Sequence, residues 1–331
     1  MIVHGLAWGY CLCMLVIWQL MQRTGDVWWF GTLLLFSPRW LFALPALVLL
    51  PYALVRKRLL LLPLVVTLLV VFIPFMGWHL PVRSGDRFPD KKPLRVVTCN
   101  VHVGDFDQLK LSQLIRDTAA DIVMLQEFSS RVVLAAPPGW GMTSAKGFAV
   151  LSPYPMEGLQ IVSMPPPGET WQKSQMLQTV VKTPAGPVAV CSIHLPTPRF
   201  GLQELFDRKT LIRPSRKGRL VRDIHYRREA ARKVQQAITQ LAMPVIIAGD
   251  FNTPAESRLF QEVWSGYRNA FSETGRGYGY TQRVRFSGLR YSSRIDHILT
   301  SRELRPLTSA VGPDVGSDHL PLIADISVAG L

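Results

Sequence analysis

Apolar positions along this chain follow two regimes. From Met1 to about Trp78 they run almost unbroken, and the only charges there are Arg23, Asp26, Arg39, Arg56, Lys57 and Arg58. Leu6 to Met21, Trp40 to Val55 and Leu59 to Trp78 read as three transmembrane helices. The third is the clearest, because about 20 apolar residues in helical form cross a hydrocarbon layer of about 30 Å. Beyond residue 93 the apolar residues come instead in short runs with the length of buried strands. Such runs cover Phe148 to Leu151, Leu177 to Lys182, Val188 to Ile193, Ile295 to Thr300 and Leu320 to Ile326. Leu109 to Ala120 and Asp223 to Leu241 carry helical spacing between them. Strands and helices mixed in this order predict an α/β protein, a two-sheet sandwich with helices outside.

Polar residues recur at the ends of the strand-like runs. In order these are VVTCN ending at Asn100, DIVMLQE at Glu127, VAVCSIH at His194, IIAGDFN with Asp250 and Asn252, RIDHIL with Asp296, and GSDHLPL with Asp318 and His319. Residues at i and i+2 of an extended chain share a face, so Asp250 and Asn252 point into one pocket. His297 points the other way and reads as packing, whereas His102 shares the face of Asn100 at the pocket rim. Asp121, opening the DIVMLQE run, reads as a solvated loop carboxylate. Cys99 and Cys191 fall at odd offsets from the pocket residues and read as buried small hydrophobes.

Taken together, the six segments resemble the endonuclease/exonuclease/phosphatase superfamily, as a membrane-anchored, bacterial-type member. The resemblance spans roughly residues 93 to 328. It implies a DNase I-like sandwich and metal-dependent hydrolysis of a phosphate ester. A hard cation, Mg²⁺ with Mn²⁺ as a substitute, suits one or two carboxylates plus waters. Glu127 is the expected metal ligand, with Asn100 positioning it or the metal and Asp318 as a second carboxylate nearby. The resemblance gives Asp296 as the partner that orients His319 and raises its pKa. It further implies a phosphate contact for His194, a water-activating role for Asp250 and a hydrogen bond from Asn252 to the transition state. Two departures stand out. HLPTP replaces the YxPN segment of abasic-site nucleases, and Gln282 follows Thr281 where the family often has an aromatic residue.

Composition refines the reading. The 331 residues carry a net charge of +14. They divide into a transmembrane region (1–78), a basic tether (79–92) and a catalytic domain (93–331). The segment from Arg199 to Lys233 holds 12 basic and four acidic residues. It directly follows His194, so Arg199, Arg216 and Lys217 are expected to bind substrate. Such a surface suits a polyanion, either nucleic acid or an anionic lipid headgroup. A phosphodiesterase acting on nucleic acid is the leading expectation. The alternatives are a phospholipid or sphingolipid headgroup enzyme, and a catalytically degenerate polyanion-binding membrane protein. The lipid bilayer is an expected partner, and no protein partner is implied. Arg56, Lys57 and Arg58 between spans two and three favour the cytoplasm, which puts the catalytic domain outside. Arg83, Arg87, Lys91, Lys92 and Arg95 pull the other way.

Overall fold

The computed structural model describes residues 2–81, 92–129, 132, 134, 136–165, 174–206, 217–286 and 288–328. The chain opens with four helices: α1 (Ile2–Thr24), α2 (Trp29–Leu35), α3 (Leu44–Arg56) and α4 (Leu61–Val70). Next come β1 (Leu94–Asn100), α5 (Gln108–Asp117), β2 (Ile122–Gln126), β3 (Gly141–Ala145), β4 (Phe148–Ser152) and β5 (Met156–Ser163). The middle of the chain holds β6 (Ser174–Thr183), β7 (Gly186–His194), α6 (Arg199–Phe206), α7 (Gly218–Thr239), β8 (Val245–Asp250) and α8 (Arg258–Trp264). The last elements are β9 (Arg268–Asn269), α9 (Ala270–Thr274), β10 (Gln282–Phe286), β11 (Leu289–Ser293), β12 (Asp296–Thr300), β13 (Arg305–Val311) and β14 (Leu322–Ser327).

Two six-stranded mixed sheets face each other, in the orders β13-β14-β1-β2-β4-β3 and β5-β6-β7-β8-β12-β9. Val96, Met124, Val150 and Ala324 of the first sheet meet Leu177, Val190, Ile246 and Ile298 of the second in one buried core. The outer faces are also covered. Leu111, Leu114 and Ile115 of α5 lie on Val97, Cys99, Val123 and Leu125, while Val234 and Ile238 of α7 and Trp264 of α8 lie on Ala189, Cys191 and Ile247. Burial on both faces is why the central strands read as continuous apolar runs rather than alternating ones. The architecture is the expected two-sheet sandwich.

Three N-terminal helical stretches, Ile2–Thr24, Arg39–Arg56 and Arg58–Phe75, are long and apolar enough to cross a membrane. Their ends do not stand apart from the sandwich. Trp29 and Leu33 of α2 pack on Leu205, Leu220 and Ile224 of α6 and α7. Arg39 pairs with Glu256 at 3.3 Å and donates to the Phe75 carbonyl at 2.6 Å. The Tyr280 hydroxyl donates to the Met76 carbonyl at 2.9 Å, and His79 forms a β-bridge with Gly277. Residues 82–91 of the expected tether lie outside the described residues. Asp121 departs from its reading as a solvated carboxylate. It is buried, accepting from the Arg95 backbone N–H at 2.9 Å and the Tyr154 hydroxyl at 3.0 Å, and so closes the start of β2 onto β1 and β4.

Candidate active site

Strand register assembles the site. β7 and β8 run parallel with His194 opposite Asp250, and β12 lies antiparallel to β8 with Asp296 opposite Asp250. One row across the second sheet therefore carries His194, Asp250 and Asp296. On the first sheet β1 and β2 are parallel, with Asn100 opposite Gln126, and Glu127 follows at once. Ser317, Asp318 and His319 precede β14, where the Ser317 hydroxyl donates to the Asn100 carbonyl at 2.7 Å. The two rows meet at the carboxyl ends of the parallel pairs, where α/β sheets open a crevice. A cleft of about 730 Å³ lies there, with Lys146, Arg199 and Phe200 along its wall.

The polar groups are mutually bonded. Asn100 donates from Nδ2 to Glu127 Oε1 at 3.0 Å and to Asp250 Oδ2 at 3.1 Å, while its Oδ1 accepts the His102 N–H. It therefore braces both carboxylates through N–H groups. Asp250 also accepts from the Asn252 backbone N–H at 2.7 Å and from Asn252 Nδ2 at 3.2 Å. The other amide hydrogen of Asn252 goes to the Leu195 carbonyl at 2.8 Å. His194 Nε2 lies 3.6 Å from Glu127 and 3.7 Å from Asp250. His319 Nδ1 is 2.8 Å from Asp296 Oδ2, leaving its Nε2 facing Asp250 at 3.9 Å. Asp296 Oδ2 also accepts from the Thr281 hydroxyl, and its Oδ1 is buried without a partner among the described residues.

Burial and charge set the protonation states. Burial first, then the charge of Asp296, pushes the Asp250 carboxyl up to about 7. For His319 burial acts to lower the value, but the charges of Asp296 and Asp250 and the Asp296 hydrogen bond outweigh it and raise it to about 10. His194 is lowered, chiefly by burial. The cleft thus holds a carboxyl able to accept a proton near neutrality beside a histidine that keeps its own.

Residues 97–319 match the sequence profile of the endonuclease/exonuclease/phosphatase family. The chain belongs to that family. Solved structures share its fold. A family protein from Beutenbergia cavernae has 20% identity and a TM-score of 0.52, with 72% of each chain covered. TDP2 from D. rerio, in complex with a single-strand DNA product, has 16% identity and a TM-score of 0.51, covering 72% of this chain and all of its own. The 3′ phosphatase NExo from Neisseria, bound to a product DNA hairpin, has 18% identity and a TM-score of 0.51, covering 71% and 99%. No curated protein matches the sequence.

Family enzymes use divalent metals, and the residues here fit one. The Glu127 side chain is a quarter exposed and faces the cleft, which suits a hard cation that takes one carboxylate and keeps its waters. Asp250, Asp296 and His319 also bring ligand atoms within 4.8 Å of one another. That trio is the poorer seat, because Asp296 Oδ2 already serves His319 and Thr281 and all three residues are buried. Asp318 lines the cleft half-exposed, 3.6 Å from His102 Nδ1.

The expected substrate-binding residues part company. Arg199 reaches the cleft, Lys217 lies over the Trp29 ring at 5.7 Å, and Arg216 lies outside the described residues. Part of α7's positive charge is committed within the protein. Arg227 is buried, and Arg228 pairs with Glu262. His297 packs between Phe251 and Phe260, as its odd offset implies.

Gln282, which stands where the family often has an aromatic residue, reaches within 3.4 Å of His319 Nε2. Two further features were not expected from the sequence. Gln126, which continues the inward-facing row of Ile122 and Met124, donates to Ser192 at 2.9 Å and Thr98 at 3.1 Å, tying the sheets together beneath the cleft. Glu127 (φ 52°) and Asn252 (φ 48°) adopt left-handed backbone, which Asn accepts readily but which strains Glu127 by about 1–3 kcal/mol, and both side chains line the cleft.

Gly249 explains itself at the same place. Its φ is +139°, and a Cβ there would lie 2.1 Å from the Ile193 carbonyl oxygen on the adjacent strand. Gly249→Ala therefore forces β7 from β8 where His194 and Asp250 stand. Chemical denaturation should record a loss of about 2 kcal/mol or more, whereas an unchanged midpoint would mean that the strands tolerate the methyl group.

Proposed function

We propose that this protein is a membrane-anchored, Mg²⁺-dependent phosphodiesterase whose leading substrate is nucleic acid. The row His194–Asp250–Asp296 facing Asn100 and Glu127, with His319 held by Asp296, carries the reading. Mg²⁺ bound at Glu127, with Asp318 on the same cleft, would neutralise charge on the phosphate. Asp250 orients the attacking water and accepts its proton. His319, kept protonated by Asp296, donates to a phosphoryl oxygen, and His194 contacts the phosphate from the neighbouring strand. Asn252 holds Asp250 in place, and its 3.2 Å bond is the one a phosphoryl oxygen competes for.

Two observations favour nucleic acid. TDP2 and NExo were solved with DNA products, and Arg199 and Lys146 stand on the cleft wall. A lipid phosphodiester is the second reading, favoured by α6. This helix brings Arg199 and Phe200 to the cleft and packs Leu202 and Leu205 against Trp29 and Leu33 of the segment between the first two spans. The full chain in lipid nanodiscs, given Mg²⁺, should be assayed against DNA, RNA, sphingomyelin and phosphoinositides, with Asp250→Ala as control. Cleavage of DNA or RNA alone supports the first reading and of a lipid alone the second. No cleavage beyond the control refutes both.

Connectivity supports one orientation. The segment between α1 and α3 and the end of α4 both touch the catalytic domain, which puts Arg56, Lys57 and Arg58 in the turn at the opposite end of the helices. With those three cations in the cytoplasm the catalytic domain faces out. A protease added to intact spheroplasts should then digest the domain beyond Trp78 and spare the Arg56–Arg58 turn. A domain protected until the membrane is permeabilised reverses the assignment.

A further inference from the structure

The first 78 residues hold one carboxylate, Asp26, and it is buried in the catalytic domain. It follows α1 in left-handed backbone (φ 61°), with its N–H donating to the Thr32 hydroxyl at 3.0 Å. Its carboxylate accepts from the Ser257 hydroxyl at 3.0 Å and takes both terminal nitrogens of Arg227. Asp26 is fully buried and Arg227 is 2% exposed. Phe36, from the same membrane-side segment, lies 5.4 Å from the guanidinium.

Arg227 uses its remaining donors on the turns that carry the active site. Its Nε donates to the Pro196 carbonyl at 2.9 Å, two residues beyond His194. Its Nη2 donates to the Asn252 carbonyl at 2.7 Å and the Thr253 hydroxyl at 2.9 Å, just beyond Asp250. One guanidinium therefore pins the exits of β7 and β8 to each other. Among the described residues no other carboxylate pairs with Arg227.

We propose that Asp26, acting through Arg227, is a positioning residue for the active site, so that the loop between the first two spans is a working part of the enzyme and not only its anchor. The physical reason is charge. A buried guanidinium deprived of its counter-ion is costly, and it regains solvation by swinging away or admitting water. Either movement releases the Pro196 and Asn252 carbonyls, and with them the spacing of His194, Asp250 and Asn252. A displacement of about 1 Å at reacting groups costs about 10²-fold in rate. The proposal rests on the phosphodiesterase reading for what the site does, but not for the geometry that links it to Asp26.

The full chain in nanodiscs tests this with bis(p-nitrophenyl) phosphate and Mg²⁺. Asp26→Asn should lower kcat by about 10²-fold with KM nearly unchanged, since the loss is of alignment rather than of substrate contact. Asp26→Glu should restore part of it. Arg39→Gln breaks the other ion pair of the same interface and should leave kcat at the wild-type value. Hydrogen exchange should quicken at residues 194–197 and 250–254 in Asp26→Asn but not in Arg39→Gln. Wild-type kcat in Asp26→Asn, or equal losses in both variants, overturns the proposal. If wild type does not cleave the probe, the phosphodiesterase reading fails, and the exchange data still decide the link. Should Asp26→Asn not fold, Asp26→Leu with Arg227→Met removes both buried charges together and keeps the packing. That pair should fold and still lose kcat, and a wild-type rate in it overturns the proposal.

Discussion

Asp250→Asn lowers kcat by about 10²–10⁴-fold while the protein stays folded. The carboxamide keeps the shape and can still accept the Asn252 N–H that Asp250 Oδ1 now holds at 2.7 Å. It cannot accept a proton, and one of its two positions becomes a donor facing the Nδ2 groups of Asn100 and Asn252. It also removes a charge that helps to hold His319 near pKa 10, so two functions fail together. Steady-state kinetics with Mg²⁺ saturating checks this, together with circular dichroism to confirm the fold. A variant within tenfold of wild type would remove Asp250 from the chemistry.

Glu127→Gln is expected to cost about three orders of magnitude in rate, the several kcal/mol that a cation contributes to phosphoryl charge. The mutation removes the charge that best suits Mg²⁺ but keeps the acceptor for Asn100 Nδ2 at 3.0 Å. The left-handed backbone at position 127 tolerates either side chain equally, so stability should barely change. Titration calorimetry with Mn²⁺ separates the effects. Weaker metal binding with an unchanged melting temperature supports the assignment, and unaltered affinity places the ion elsewhere.

The sandwich was legible because its central strands are apolar on both faces. Runs such as Val245–Ala248 name themselves as strands, and the residues after them then fall at strand ends by default. Side-chain parity separated Asp296 from His297 and Asn100 from Cys99. What parity does not encode is which strand lies beside which, so the row His194–Asp250–Asp296 emerged only from the register. The outlying strands β10 and β11 were missed for a related reason. They form a two-stranded sheet of their own, and their exposed Arg283, Arg285 and Arg290 give a pattern shared with loops. Asp26 was illegible altogether. A single acid between apolar helices carries no periodicity, and its partner is 201 residues away in sequence. Composition overcounts the free charge of the basic segment, because Arg227 and Arg228 are both committed to carboxylates.

The position of β14 bears on how such a molecule can be made. It is the last strand among the described residues, yet it pairs with β1, the first strand of the sandwich, at the middle of a sheet. Until β14 emerges from the ribosome, β1 presents an open, apolar edge able to recruit foreign strands. The N-terminal helices and β1 are made long before β14, so the half-built sandwich waits with its seam unclosed. Closing that seam joins residues more than 200 positions apart, the kind of long-range pairing that makes folding slow and exposes it to aggregation. Synthesis of this protein therefore places a premium on prompt arrival of the segment from Leu322 to Ser327.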